Sequence, residues 1–447
     1  MEALRKKYSK TNNKSVSVIS LGCPKNLVSS ENLCGYFIEN GYTLTNLFTS
    51  SQPIDIVLIN TCSFIKSARR EAINTIKKVL EYKDKGMCKK VVVTGCYAQR
   101  FATELREKVP DVDFINSNES FVDLSNFLNN KNESCYKRIP STNYYAYLKI
   151  ADGCDRNCSF CLIPSIKGRY KSRSITSILD EASMLVSEYG IKELILIAQD
   201  TESYGKDISL KNGLVEITKK LSKIRDLKWI RIMYLYPTDN LEFFRNLLSI
   251  DKVVSYLDIP LQHCSAKILK RMNRPTNVLS FTDNLMKLRS EFKNLAIRST
   301  FIVGFPGEDK TAFNELIDFL MTYKLDRVGF FAYSNEKFTN AYSLTDQVNS
   351  MIKQERLKIA YKTQKDISDK IRKRFVGKTI NVLIENFLDK EGYAFGRTER
   401  DAPDIDEGII VKGDTEYLKK NVGKIIKAKI TNSIDYNLIS ESVTISK

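Results

Sequence analysis

Three cysteines stand in one short stretch, DGCDRNCSFCLIP: Cys154, Cys158 and Cys161. The C-x3-C-x2-C spacing lets three thiolates converge on one soft polynuclear centre. Three ligands on a four-iron cube leave one iron open, as catalytic zinc keeps a free position for a reactant. Zinc is the alternative occupant, but structural zinc takes four ligands and no fourth Cys or His lies close by in the sequence. We therefore expect a 4Fe–4S cluster on these three thiolates.

A second trio is dispersed: Cys23 in SLGCPKN, Cys62 in NTCSF and Cys96 in VTGCYAQ. Each ends an apolar run, SVSVISLG (15–22), IDIVLINTC (54–62) and KKVVVTGC (89–96), and each run reads as a buried parallel strand. Strand ends in an open α/β sheet face one crevice, where ligands bind. Cysteines 39 and 34 positions apart in sequence can then meet in space, and a second cluster with an open iron is expected. The alternative is three buried packing cysteines. Cys34, Cys88, Cys135 and Cys264 lack such placement and read as packing or incidental thiols. The sequence holds one histidine, His263, which excludes His-rich zinc sites and two-histidine iron centres within one chain. A Ser-His-Asp hydrolase would need His263 itself.

The elements that must position these thiols fall into three blocks. A chain of 447 residues suggests two to four domains. Strand–helix alternation over 14–130 predicts an open α/β sheet, with DVDFIN (111–116) as a fourth strand and NNKNES (129–134) as a linker. Over 140–372, six strands alternate with helices, starting at YAYLKIADGC and ending at RVGFFAYS (327–334). That predicts a partial parallel (β/α) barrel, short of the eight units of a closed one. Over 375–443, short alternating strands between Gly and Asp turns predict a small antiparallel OB-like β-barrel. No apolar run reaches 18 residues, so no membrane span is expected. The start, MEALRKKYSK, has no apolar core of a secretory signal. A cytoplasmic location follows as the expectation, with metal ligation or thiol chemistry preferred over disulfides.

The C-x3-C-x-aromatic-C loop after the first barrel strand resembles the radical S-adenosylmethionine (SAM) superfamily. In that superfamily the open iron chelates SAM, and one-electron cleavage yields a radical that takes hydrogen from an unactivated carbon. Two cysteine trios in this order, followed by a small barrel, resemble the methylthiotransferases of that superfamily, from about Ser15 to Glu441. The last block then corresponds to their TRAM domain. The turn FIVGFPGED (301–309) matches the family's G-F-P-G-E. SLGCPKNLVSSE (20–31), CSFCLIPSIKGRYKSR (158–173), AQDTESYG (198–205), YLYP (234–237), DIPLQH (258–263) and GRTERDAPDIDEG (396–408) resemble the branch that modifies an aspartate of the twelfth small-subunit ribosomal protein. The transfer-RNA branch, which modifies adenosine, typically has Pro-Tyr-Thr-Arg-Gly where this chain has PSIKG (164–168). Lys167 and Lys171 depart from the arginines common at those positions.

The resemblance implies two 4Fe–4S clusters and SAM as cofactors, and methylthiolation of the aspartate β-carbon as the reaction. It implies a flavodoxin- or ferredoxin-like electron donor. Phe160 matches the aromatic position near the adenine. Gln199, Asp200, Arg231, Gln262, Arg298 and the turn Gly304–Glu308, with Gly307, are the candidate SAM contacts; ordinary barrel-end hydrogen bonding is the alternative for them. His263 either donates in the cavity or is a satisfied core histidine.

Lys and Arg exceed Asp and Glu by 17. The excess is not uniform: from Lys378 onward there are 11 basic and 12 acidic residues, so the last block is near −1. A barrel that grips transfer RNA should be basic. We expect the acids of one loop, Glu399, Asp401, Asp404, Asp406 and Glu407, to steer a basic ribosomal protein instead; a solvated loop is the alternative. Direct nucleic-acid binding is left open.

Overall fold

The structure is a computed structural model, and it describes residues 14–117, 120–130, 137–434 and 437–443. Cys135 and most of the expected 129–134 linker lie outside these residues. Contacts divide the chain into two compact units. The first is Met1–Thr142 with Asp152–Arg156 and Leu162–Tyr170; the second is Asn143–Ala151, Asn157–Cys161 and Lys171–Lys447.

The first unit is built on five parallel strands: β1 (Ser15–Ser20), β2 (Thr43–Leu44), β3 (Ile54–Thr61), β4 (Cys88–Gly95) and β5 (Phe114–Ile115), in the order β2-β1-β3-β4-β5. Side chains alternate between faces along each strand. Ile56 and Leu58 pack with Tyr36 and Phe37 of the helix Pro24–Glu39, while Val57 and Ile59 pack with Ala72, Ile76 and Val79 of the helix Lys66–Asp84. Both faces are covered, which is why these strands read as unbroken apolar runs. Two-residue β2 carries no period and escapes the sequence reading.

The second unit holds two barrels. Its strands begin with β6 (Tyr145–Lys149), the two-residue β7 (Ala151–Asp152) and β8 (Lys171–Ser172), β9 (Glu193–Ile197) and β10 (Trp229–Ile232). They continue with β11 (Tyr256–Asp258), β12 (Ala296–Val303) and β13 (Arg327–Ala332). β6, β9 and β10 pair in parallel, as do β11, β12 and β13. Hydrogen bonds from Ile230 N–H to Lys252 O (2.7 Å) and from Val254 N–H to Ile230 O (3.0 Å) join the two sets. The result is the expected six-strand parallel arc. β14 (Thr379–Leu388), β15 (Tyr393–Arg397), β16 (Ile409–Lys412), β17 (Ile425–Ile434) and β18 (Asn437–Ser442) close a barrel in the order β14-β15-β16-β18-β17. Its pairs are antiparallel except β16 with β18. Among the described residues no helix is long and apolar enough to cross a membrane.

The acidic loop corrects an expectation. The side chains of Asp401, Asp404, Asp406 and Glu407 reach residues at the starts of the parallel strands. Asp404 accepts from the hydroxyls of Tyr145 (2.8 Å) and Tyr147 (3.2 Å), and Asp406 from Tyr256 (2.7 Å). Arg327, which opens β13, pairs with Asp401 (2.5 Å) and Glu407 (3.1 Å). Glu193, which opens β9, binds Arg231 and Arg397 at 2.7 Å each, and Arg231 also donates to the Glu399 carbonyl (2.9 Å). The loop thus seals the N-terminal ends of the arc. Asp401, Asp406 and Glu407, which face arginines at short range, project little field to steer a distant protein.

Candidate metal centres

In the first unit, β1, β3 and β4 deliver Cys23, Cys62 and Cys96 to one edge of the sheet. Thr61 and Gly95 are register partners, so the cysteines that follow them start from neighbouring strand ends. Cys23 is the N-cap of the helix Pro24–Glu39 and makes no side-chain cap bond; Cys96 opens the helix Cys96–Arg100. Gly22 has φ +93°, and a Cβ there would lie 2.6 Å from the Cys62 Cβ and 3.0 Å from its Sγ. The Cys23 loop therefore runs directly over Cys62, and only glycine permits it.

Asn26, buried, ties the three loops together. Its Nδ2 donates to Leu21 O (2.9 Å) and Thr61 O (3.1 Å), and its Oδ1 lies 3.7 Å from the Cys96 Sγ. Asn60 Nδ2 in turn donates to the Asn26 carbonyl (2.9 Å) and to Ser30 Oγ (2.9 Å). Burial raises the Cys62 thiol, and the nearby Cys23 adds to the rise. Asn26 and Asn60 were missed in the sequence. The signal available was two asparagines flanking cysteines at strand ends, where a buried amide must find partners.

The donor set fits a soft cluster: three thiols after neighbouring strand ends, on loops tied together by Asn26. Among the described residues no three His, Cys, Asp or Glu side chains converge tightly enough for a single metal ion. A cube is larger than an ion and holds its corner thiolates further apart.

The division of the chain passes through the C-x3-C-x2-C loop. Cys154 belongs to the first, with Cys23, Cys62 and Cys96; Cys158 and Cys161 belong to the second. Around Cys154, Gly153 (φ +76°) would bring a Cβ to 2.1 Å from Arg169 O, and Asp155 accepts from Tyr170 N–H (3.0 Å). The Cys154 N–H donates to Gly168 O (3.2 Å), and its Sγ accepts from Arg156 N–H (3.4 Å). Still within the first unit, the helix Ile163–Lys167 packs against the helix that Cys96 opens.

In the second unit, residues 271–274 stitch down the Cys158 segment. Ser159 N–H donates to Met272 O (3.0 Å) and Ser159 Oγ to Arg271 O (2.8 Å). Asn273 Nδ2 donates to Asn157 O (2.9 Å), and Arg274 Nη1 to Cys158 Sγ (3.8 Å). The RMNRP segment was also missed, because nothing in its spacing ties it to a cysteine more than a hundred positions away.

The candidate SAM contacts divide. Phe160 packs edge-on against Phe305 (6.4 Å) beside Met272 and Tyr333, and keeps part of its surface open. Gln199 and Asp200 follow β9 at its C-terminal end, the expected ligand side of a parallel barrel; Asp200 accepts from Ser203 Oγ (2.8 Å). Gln262, past β11, has φ +74°, a backbone conformation that costs a non-glycine residue energy and clusters at ligand sites.

The remaining candidates, Arg231, Arg298, Gly304, Gly307 and Glu308, all make contacts within the chain. Arg231 has no exposed side-chain surface and is held by Glu193 under the Tyr256 ring (4.6 Å). Arg298 is paired with Asp258 (2.8 Å) and stands 3.7 Å from Asp406. Both guanidiniums are engaged at the joint with the acidic loop. The G-F-P-G-E turn closes on its own chain. A Cβ on Gly304 would fall 2.3 Å from Lys353 Cγ, and one on Gly307 would fall 2.8 Å from Asp346 Oδ2. Glu308, buried, accepts from Gly304 N–H (2.9 Å) and Arg356 (2.6 Å) and meets His263 Nε2 at 3.2 Å. His263 is fully buried, with Nδ1 accepting from Ser265 N–H (3.0 Å), so it is a satisfied core histidine.

Comparison with known proteins adds three family matches. Residues 15–117 match the Uncharacterized protein family UPF0004, residues 148–320 the Radical SAM superfamily, and residues 376–443 the TRAM domain. The chain is 40% identical to the Ribosomal protein uS12 methylthiotransferase RimO of Clostridium novyi, over 95% of this chain and 97% of that protein. It is 38% identical to the protein of the same name from Acetivibrio thermocellus, over 96% and 98%. Among solved structures, the radical SAM methyltransferase TsrM of Kitasatospora setae aligns over 72% of this chain and 75% of that one, with 14% identity and a TM-score of 0.48.

Proposed function

The chain belongs to the RimO family of radical SAM methylthiotransferases, and on that footing we propose that it adds a methylthio group to the β-carbon of an aspartate in ribosomal protein uS12. The observation that carries the reading is the meeting of the Cys23, Cys62 and Cys96 loops on Asn26. Cysteines at three neighbouring strand ends, on loops that meet at one buried amide, support a shared centre there.

In this reading Cys154, Cys158 and Cys161 hold one 4Fe–4S cluster, and Cys23, Cys62 and Cys96 hold another. When bound, the clusters and SAM supply hydrogen abstraction from an unreactive carbon, the sulfur and the methyl group. The chain supplies position. Asn26 and Asn60 fix the strand-end loops, and Gly153 with the 271–274 segment fixes the cysteine loop. Phe160, Gln199, Asp200, Gln262 and the turn Gly304–Glu308 remain the candidate SAM contacts. A flavodoxin- or ferredoxin-like carrier donates the electron. A carbon radical is quenched by stray hydrogen donors, so the site must exclude water. The three domains run over 14–130, 140–372 and 375–443.

The division of labour is tested with two triple variants. Replacing Cys154, Cys158 and Cys161 by Ala is expected to abolish deoxyadenosine formation from SAM. Replacing Cys23, Cys62 and Cys96 is expected to preserve deoxyadenosine formation and abolish methylthiolated product. Product from the second variant overturns the assignment.

A further inference from the structure

Arg274 stands beside the cysteine loop. Its Nη1 donates to Cys158 Sγ at 3.8 Å, Nη2 donates to the Pro260 carbonyl, and the guanidinium lies 4.3 Å over the Tyr236 ring. Its Nε is buried and, among the described residues, has no hydrogen-bond partner. A buried guanidinium N–H without an acceptor costs about 1–3 kcal/mol, so such a group either reflects strain or awaits an acceptor that arrives with a ligand. The neighbouring residues do the mechanical holding. Asn273 and the Arg271 and Met272 carbonyls already bind Asn157 and Ser159. Arg274 adds a fixed positive charge at the sulfur.

We propose that Arg274 is a positioning residue for the cluster held by Cys158, one that sets how readily the cluster accepts an electron. This rests on the cluster assignment given above. A hydrogen bond to a ligand sulfur and a nearby fixed cation both favour the more negative, reduced state, so they raise the reduction potential; hydrogen bonds to sulfur and local charge are established controls on such potentials. The stacked Tyr236 and the Pro260 carbonyl keep the guanidinium from swinging to solvent, where its effect would be screened. Lysine offers a mobile point charge instead of a planar fork.

The test uses the full chain with Cys23, Cys62 and Cys96 replaced by Ala, so that one cluster remains to be titrated. Iron content and the midpoint potential, followed by electron paramagnetic resonance, are read for this protein and for added R274Q, R274K and N273A. R274Q is expected to lower the midpoint so that the reduced-to-oxidised ratio at a fixed poise falls about tenfold, or about 59 mV for one electron. R274K is expected to fall between R274Q and the parent. N273A, which cuts a loop contact but keeps the charge, is expected to leave the midpoint unchanged. An unchanged midpoint in R274Q, or an equal shift in N273A, overturns the proposal. If R274Q loses its iron, R274K decides, and a midpoint equal to the parent's overturns it. Absence of iron and of a cluster signal in the parent itself would refute the cluster assignment, a separate result.

Discussion

Gly22 and Cys62 are packed so closely that a methyl group on the glycine would sit 2.6 Å from the cysteine Cβ. The contact joins the loop after β1 to the loop after β3. At φ +93° the position also excludes ordinary side chains on conformational grounds.

G22A is therefore expected to push Cys62 out of its trio. The purified, anaerobically reconstituted variant should hold about half the iron of the native protein, which is about eight per chain for two cubes. It should still form deoxyadenosine. Full iron content would show that the contact is incidental to the centre.

Glu31 and Arg138 form an ion pair with side chains 6% and 3% exposed, and Glu31 also accepts from Ser141 N–H and Oγ at 2.6 Å each. Removing one partner of a buried pair strands the other charge at a cost of about 3–5 kcal/mol. R138A should shift the first urea transition accordingly, and R138M/E31M should recover most of the loss. A near-neutral R138A would mean that water reaches Glu31.

The joint between the acidic loop and the parallel strands should fail in acid. Burial opposes ionisation of Asp401, yet the Arg327 guanidinium and the Thr398 hydrogen bonds outweigh it and hold the carboxyl below its ordinary value. Burial likewise opposes ionisation of Glu193, and Arg231 and Arg397 outweigh it. A carboxyl depressed in the folded state contributes stability above its unfolded value, and that stability is lost as pH falls through the folded value. Thermal melts should be flat from about pH 7 to 5 and fall below about pH 4, the unfolded carboxylate range. D401N should lower the neutral-pH melting temperature and shrink the acid-dependent drop. An unchanged acid limb in D401N would remove Asp401 from the account.

Cys264 is buried, and burial pushes its thiol up to about 12; burial pushes Cys88 up to about 11. The thiolate is the reactive form. Both should resist alkylation at pH 8 in the native protein and react after denaturation, and C264A should retain all iron. Rapid native labelling of Cys264 would contradict its packing role.

Much of this was legible in the residues. The strand-end cysteines were visible because fully buried parallel strands leave unbroken apolar runs, and the runs of β1, β3 and β4 stop where Cys23, Cys62 and Cys96 stand. The six-strand arc followed from strand–helix alternation. What stayed hidden depends on partners far apart in sequence. Asn26 and Arg274 look like ordinary polar residues until Thr61 and Cys158 are placed beside them. The partners of Arg231 and Arg298 were hidden for the same reason: Glu193 and Asp258 are not adjacent to them in sequence. The acidic loop misled most, since composition counts charge without revealing that Arg327 pairs with Asp401 and Glu407.

The most direct measurement is the intact mass of ribosomal protein uS12 isolated from cells with and without this chain. The account predicts a mass in the first case raised by the exchange of one hydrogen for a methylthio group, mapped by fragmentation to an aspartate, and its loss in the second. Identical uS12 masses, with a methylthio group instead missing from transfer RNA, would contradict it.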